Sequence, residues 1–419
     1  MSRPQRVNPF HDPRMRGFRL RTSVADVLAM IDSRVRNLSE ETVALTEAAG
    51  RVLAAEVVAE TSVPAFDRSA MDGYAVRGEE TFGADVYSPA LFVEVGKARP
   101  GRAFESTVEP GHAVEIATGA MLPRGADTVI PVESTVRIGE RIGVTEAYPI
   151  GRHIGKVGED VVAGAVVLRG GRVLRPQDLG VLSGLGMASI RVVRRPRVTV
   201  IVTGSEILPA GSTAVGDRFA DMNSPMLAAL ITRDGGVPRV VGPLPDDAGT
   251  LRDVLISERA HADAILISGG SSTGPEDHAP ALVAELGELS VHGVALRPAS
   301  PSGLGFFGEV PVALLPGNPV SCLCAYDFFG GRVVRRLAGR PPEWPYRIQM
   351  RTLATKLVSA LGRVDYARVR IVNGRAEPLS ISGASILTST TKADGFVVVP
   401  AGLEGYADGL VVTIWMYDG

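Results

Sequence analysis

Arg197-Val-Thr-Val-Ile-Val-Thr203, Ala264-Ile-Leu-Ile-Ser268 and Val312-Ala-Leu-Leu315 are the stretches that decide the fold. Each is short and largely apolar on both faces, which is how a strand buried on both sides reads. Between and beside them lie helical patterns over 225–233, 250–257 and 279–286, a further strand over 237–241, and a helix from Ser321 onward. Strands separated by helical segments of this length imply a parallel, doubly wound sheet, because each parallel crossover needs about a dozen residues.

Outward from this centre the pattern changes. Towards the N-terminus, apolar spacing over 23–59 predicts a first helix through Val24, Val27, Leu28 and Ile31, capped by Ser23, and a second through Val52 and Val57. Residues 66–150 break into short runs bordered by Gly and Pro, such as 91–95 and 113–116, and read as an all-β insert. Residues 161–190 are mixed and end in an apolar stretch, 179–187, that reads as a helix despite its glycines. Towards the C-terminus, Ala338-Gly-Arg-Pro-Pro-Glu-Trp-Pro345 is a stiff linker, after which short strands and the Asn373-Gly374 turn signal form a small β domain. The expected organisation is an α/β multidomain chain. It has a basic tail (1–21), a helical and mixed domain (22–62 plus 148–192), an inserted β domain (63–147), the central doubly wound domain (193–338) and a C-terminal β domain (345–419).

Composition excludes several classes. Hydrophobic residues make up 45% and charged residues 21% of the 419, as in a globular protein. Lys and Arg number 44 against 46 Asp and Glu, so the charge gives no footprint for nucleic acid. No run approaches the roughly 18 apolar residues of a spanning helix, and the first twenty or so residues lack the apolar core of a secretory signal. A cytoplasmic protein is expected, and Cys322 and Cys324 read as buried thiols. Arg3, Arg6, Arg14, Arg16 and Arg19 with Pro4, Pro9 and Pro13 make the tail a solvated basic extension, with a docking arm for an acidic partner as the second reading.

The strand ends carry the chemistry. Each is followed by a turn of Gly, Pro, Ser and acids: 203–206, 243–247, 268–277 and 315–321. Such turns present free backbone amides and helix N-termini at one sheet edge, where an anion can be held. In the third turn, Gly269 and Gly270 permit close backbone approach while Ser271, Ser272 and Thr273 offer hydroxyls; alone, it reads equally as a helix-capping loop. Glu206, Asp246 and Asp277 follow strands and form a candidate set of hard oxygen ligands for Mg2+, although each singly is an ordinary cap or solvated acid. No Gly-x-Gly-x-x-Gly follows the first sheet strand, which argues against a dinucleotide-dependent oxidoreductase.

Asp67-Arg-Ser-Ala-Met-Asp-Gly-Tyr-Ala75 closely resembles a signature of the molybdopterin molybdenumtransferases, the family that also supplies the E domain of gephyrin. Thr118-Gly-Ala120, Gly125-Ala-Asp127, Gly158-Glu-Asp160, Ser268-Gly-Gly270 and Leu315-Pro-Gly-Asn-Pro-Val-Ser321 resemble further motifs of that family, in the same order. The resemblance implies a molybdopterin-binding-like central domain and a homodimer whose cleft combines the sheet domain of one subunit with the β insert of the other. It also implies insertion of molybdate into adenylylated molybdopterin with release of AMP, assisted by Mg2+. Carried over by position, Asp67, Thr118, Asp160, Glu206, Asp246, Asp277 and Arg297 are implied in catalysis, with Glu206, Asp246 and Asp277 on the metal. Gly269, Gly270, Ser272, Ser300, Pro316, Gly317, Pro319 and Ser321 are implied in holding pterin phosphate and oxyanion.

Two places depart from the family pattern. Where bacterial members resemble Lys-Pro-Gly-Lys-Pro, this chain has Arg297-Pro-Ala-Ser-Pro301, which exchanges one lysine for arginine and the other for uncharged Ser300. Ala384 stands where relatives tend to have serine. The alternative these departures motivate is a gephyrin-like dimeric scaffold, holding a peptide of a membrane receptor or cytoskeletal protein in a groove by the last domain.

Overall fold

The computed structural model describes residue 18, residues 20–272, residue 274, and residues 277–379 and 385–417. Most of the basic tail, and Ala384, lie outside the described residues. The chain divides into two compact units, one from Met1–Thr42, Gly50–Ala54 and Arg191–Gly419, the other from Val43–Ala49 and Ala55–Ile190.

The first unit is built on a six-stranded sheet of β1 (Arg197–Thr203), β2 (Val237–Leu244), β3 (Ala264–Ser268), β4 (Glu288–His292), β5 (Gly303–Phe307) and β6 (Val310–Leu315), in the order β2-β1-β3-β6-β5-β4. Strands β2, β1, β3 and β6 are parallel, with Val200 opposite Leu266 and Leu266 opposite Ala313. The helices are α1 (Val24–Arg34), α2 (Asn223–Arg233), α3 (Ala248–Glu258), α4 (Ala279–Leu286), α5 (Pro319–Ala325) and α6 (Gly331–Leu337). Strand alternation sends Val198, Val200 and Val202 to one face, where they pack with Ile31 of α1, Leu227 and Ile231 of α2 and Val334 of α6. Ile201, Ile265 and Ile267 go to the other face, against Leu251 and Leu255 of α3 and Leu282 of α4. Each such side chain contributes roughly 1.5–3 kcal/mol by leaving water, which is why the strands that lack a polar face are also the central ones.

Two expectations need correction. The doubly wound sheet is not parallel throughout: β5 runs antiparallel to both β6 and β4, adding an antiparallel edge that the sequence reading did not contain. The second N-terminal helix is also absent. The Ala54 N–H donates to Arg191 O at 3.0 Å and the Val193 N–H to Val52 O at 2.8 Å, so this segment satisfies its backbone through an extended antiparallel bridge, Leu53 opposite Val192, instead of helical bonds. The first helix is as expected, with Ser23 Oγ accepting from the Asp26 N–H at 3.1 Å.

Beyond the linker, a second sheet of the same unit runs Leu296–Arg297, Val364–Val372, Gly395–Val399, Val411–Met416 and Arg347–Thr352, with Arg375–Pro378 paired to Val364–Val372. The Asn373-Gly374 turn signal makes that last hairpin: both residues have positive φ, 49° and 77°, and Val372 pairs with Arg375. Trp344 of the linker plugs the junction, edge-on to Phe328, Phe396 and Trp415 with ring centroids 5.0, 5.3 and 5.1 Å away.

The second unit holds a six-stranded sheet in the order Thr128–Pro131, Gly73–Val76, His112–Ile116, Ala90–Ala98, Arg141–Val144, Thr135–Ile138. The glycine-containing apolar stretch is helical as expected, over Pro176–Gly184, with Asp178 accepting from the Arg175 N–H at its start. Among the described residues no helix is long and apolar enough to cross a membrane.

Candidate functional site

The carboxyl ends of β1, β3 and β6 open onto a cleft of about 600 Å³ within the first unit. Its lining includes Glu206, Asp246, Asp277, Gly269, Gly270, Ser272, Pro316, Gly317 and Pro319, so the fold gathers residues that the sequence spreads over more than a hundred positions. Gly269 is dictated by geometry. It has φ +97°, and a Cβ there would lie 2.3 Å from the Thr203 carbonyl oxygen, so only glycine lets the loop pass the end of β1. The loop start is tied by the Gly269 N–H to Leu315 O at 3.2 Å.

The acids are held in place by their own loops. Asp246 Oδ2 accepts from the Ser205 N–H at 2.8 Å, and Asp277 Oδ2 from the Gly274 N–H at 2.7 Å. Asp247 instead caps α3, accepting from the Thr250 N–H at 2.7 Å. Among the described residues no three His, Cys, Asp or Glu side chains are grouped to hold a metal ion. The three carboxylates expected to bind Mg2+ therefore share the cleft without forming a closed cage, and Asp246 and Asp277 each give one oxygen to a loop amide. A hard cation bound there must draw further oxygens from a ligand, the way magnesium is commonly held beside phosphates.

Residues that the sequence reading missed complete the floor. Asn223 Nδ2 donates to Ser268 Oγ at 2.9 Å and to Gly317 O at 2.7 Å, stapling two strand-end loops to the start of α2. Because a carbonyl can only accept, Nδ2 must face Gly317, and buried Asn223 Oδ1 has no partner; buried Thr203 Oγ1 has none either. Asp221 accepts from the Asn223 and Ser224 N–H groups at 2.8 and 3.0 Å. The Asp221-Met-Asn223 pattern ahead of a helical run is an N-terminus signature that could have located them. Cys322 is buried 3.9 Å from Ser268 Oγ, and burial pushes its thiol up to about 12, so it is inert packing at neutral pH.

Arg297, Ser300 and Ser321 line an adjoining cavity of about 740 Å³ rather than the cleft, with Pro301, Pro316 and Asn318 shared between the two. The Arg297 guanidinium is not presented free, as the reading of the sequence implied. Leu296–Arg297 pairs in parallel with Val364–Val372, Arg297 opposite Asp365, and the guanidinium donates to that fully buried carboxylate. Arg363 approaches the same carboxylate at 3.4 Å and the Ser359 hydroxyl donates to it at 2.6 Å. Two arginines thus share one aspartate, leaving net positive charge at this wall, and buried Ser300 Oγ and Arg297 Nε have no partner.

Asp67, Thr118 and Asp160 belong to the second unit, where their loops are laced together. The Ser69 N–H donates to Ala120 O at 2.9 Å, the Gly119 N–H to Ser69 O at 2.8 Å and the Gly158 N–H to Pro64 O at 2.9 Å. Asp67 accepts from the Val157 N–H at 2.8 Å and from Lys156 Nζ at 2.9 Å, and these contacts, in that order, hold its carboxyl below the usual range. Thr118 donates from its N–H and its hydroxyl to Asp72 Oδ1 at 2.7 and 3.0 Å. Asp160 is exposed, with its N–H on Val63 O at 3.1 Å.

A doubly wound sheet with glycine loops, hydroxyls and carboxylates at its strand ends defines an α/β protein that takes its ligand at that edge. Models for the MoeA N-terminal region (domain I and II), a probable molybdopterin binding domain and the MoeA C-terminal region (domain IV) match residues 22–186, 199–336 and 351–417. The chain is 33% identical over 405 residues to molybdopterin molybdenumtransferase 2 of Mycobacterium tuberculosis, covering 94% of this chain and 99% of that one. It is 30% identical over 384 residues to the molybdopterin molybdenumtransferase of Bacillus subtilis, covering 89% of each. The crystal structure of a molybdopterin biosynthesis MoeA protein from a Pyrococcus species superposes with a TM-score of 0.83 at 32% identity, over 96% of this chain and 100% of that one. The chain belongs to the MoeA family, and it is an enzyme of molybdenum cofactor biosynthesis.

Proposed function

We propose that this enzyme inserts molybdate into adenylylated molybdopterin: the bond to the adenylate is cleaved, AMP leaves, and the pterin dithiolene takes the molybdenum. The single observation that carries this reading is the convergence of Glu206, Asp246 and Asp277 with the Gly269–Gly270–Ser272 loop in one strand-end cleft. The loop amides and hydroxyls suit phosphate oxygens, and Pro316, Gly317 and Pro319 shape the wall beside them. The donor set fits magnesium, which, held by cleft carboxylates together with substrate oxygens, would offset phosphate charge. Arg297, Ser300 and Ser321 hold the oxyanion in the adjoining cavity, where the paired arginines of that wall keep a surplus positive charge. In this reading the enzyme is a cytoplasmic homodimer, and Asp67, Thr118 and Asp160 of one subunit complete the cleft of the other.

The test is direct. Purified protein given adenylylated molybdopterin, molybdate and magnesium releases AMP; absence of turnover even at high molybdate would sink the assignment. The scaffold alternative rests on the Arg297–Pro301 departure, on Ala384 and on the basic tail; at the first of these, Arg363 beside the same carboxylate supplies a second cation to the wall, which favours the enzyme.

A further inference from the structure

His292 closes β4, fully buried, with Nε2 2.8 Å from the carbonyl oxygen of Ser271. A carbonyl only accepts, so Nε2 carries the proton and donates into the middle of the glycine loop. Gly269 and Gly270 stand at φ +97° and +54° just before Ser271, so the loop backbone leaves β3 through two residues of high intrinsic freedom. The described bonds tie the loop at its start, Gly269 to Leu315, and near its end, Gly274 to Asp277. His292 holds the stretch in between, where Ser272 faces the cleft.

The imidazole is itself braced. Phe18 stands edge-on to it, ring centroids 5.0 Å apart at 83°, and covers Gly293, whose absent Cβ would lie 2.4 Å from the Phe18 ring. The segment that carries Phe18 is pinned alongside by the Thr22 N–H to Gly293 O and the Ala295 N–H to Thr22 O, both at 2.9 Å. Phe18, Leu20 and Arg21 also line the adjoining cavity, so one short N-terminal segment touches the wall of that cavity and the prop of the loop.

We propose that His292, braced by Phe18, is a positioning residue: it fixes the Ser271–Ser272 backbone in the shape that grips the phosphate-bearing substrate. It touches no substrate and acts only through the loop. The proposal rests on the cleft being the phosphate site, and its experiment separates the two claims. Wild type, His292→Leu, His292→Gln and Phe18→Ala are compared in the full chain by backbone hydrogen exchange over residues 269–274, without ligand. The KM for adenylylated molybdopterin and for molybdate is then measured for each.

In His292→Leu, loop exchange rises and the KM for adenylylated molybdopterin rises about threefold to tenfold, the worth of one neutral hydrogen bond, while the KM for molybdate holds. The glutamine variant, which keeps a donor, recovers part of both. Phe18→Ala loosens the loop less than His292→Leu, and with the glutamine variant it carries the test if the leucine protein does not fold. Unchanged exchange at 269–274, or a rise spread evenly over the whole sheet domain, overturns the proposal. If exchange responds as stated but wild type releases no AMP, the proposed reaction falls and the positioning role of His292 stands.

Discussion

Asp327 lies fully buried in the π-helical stretch Tyr326–Gly330 that carries α5 into α6 without a break, accepting from the Tyr346 hydroxyl at 2.8 Å and the Tyr366 hydroxyl at 3.0 Å. Burial raises its carboxyl from 3.8 to about 6, against the opposing pull of Arg233. The folded protein therefore holds this proton more tightly than the unfolded chain does. Its stabilising contribution is complete below about pH 4 and is lost as pH climbs through about 6, a difference of about 3 kcal/mol in all. Urea midpoints measured across that window should show a falling component in wild type that Asp327→Asn removes; parallel curves for the two proteins would refute the assignment. The pair of Arg297 and Asp365 gives a second test at the same scale. Arg297→Ala leaves a fully buried carboxylate with Arg363 as its remaining cation, at a cost of about 2 kcal/mol, less than for a wholly isolated pair because the guanidinium is partly exposed. Thermal unfolding reads that cost, and a stability loss of nothing would mean that Arg363 alone satisfies Asp365. None of this was legible in the sequence. Arg297 and Asp365 stand 68 positions apart and meet through a short parallel pairing, for which a single sequence holds no local signal.

At the scale of elements, what could be read followed from burial. β1, β3 and β6 were visible because strands wrapped on both faces have no polar alternation to hide them, and the helices beside them showed their spacing. β4 and β5 were not. Gly303-Leu-Gly-Phe-Phe307 looks like a loop by its glycines, yet the glycines serve packing: a Cβ on Gly305 would lie 2.4 Å from Val283 of α4 and 2.5 Å from Glu288 O. The cleft was partly legible for the same reason, since acids and glycines after recognised strands must fall at one edge, whereas Asn223 matters through its bonds to Ser268 and Gly317, which no local pattern in the sequence announces. The loop elements make two predictions. Gly269→Ala forces a Cβ against Thr203 O, and it should lower AMP release at least about tenfold by displacing the amides that hold phosphate. Retained activity would show that the loop's shape is not critical. Conversely, Ala299 stands at φ +91°, a conformation that glycine adopts freely, and Ala299→Gly should leave stability unchanged or raise it by up to about 1 kcal/mol, read as the thermal midpoint.

For the whole molecule, the candidate catalytic side chains fall into two sets. Glu206, Asp246 and Asp277 line the cleft of the first unit, while Asp67, Thr118 and Asp160 sit on laced loops of the second. If one site needs both sets from different subunits, variants defective in different sets must complement. Glu206→Ala and Asp67→Ala are each expected to release little AMP alone. Dissociated, mixed in equal amounts and reassociated, they form mixed dimers for half of the population. In each mixed dimer one site carries both defects and the other carries neither, so activity should return to about a quarter of wild type. Two variants of the same set, Glu206→Ala with Asp277→Ala, place a defect in every site of every dimer and recover nothing, which makes them the control. A mixture of the first pair that stays as inactive as its components would mean that both sets serve one chain's own site, or that the second set has no part in the reaction. Complementation to about a quarter is the signature that only a shared site produces, because neither monomeric catalysis nor simple stabilisation by a partner restores a site with both sets intact.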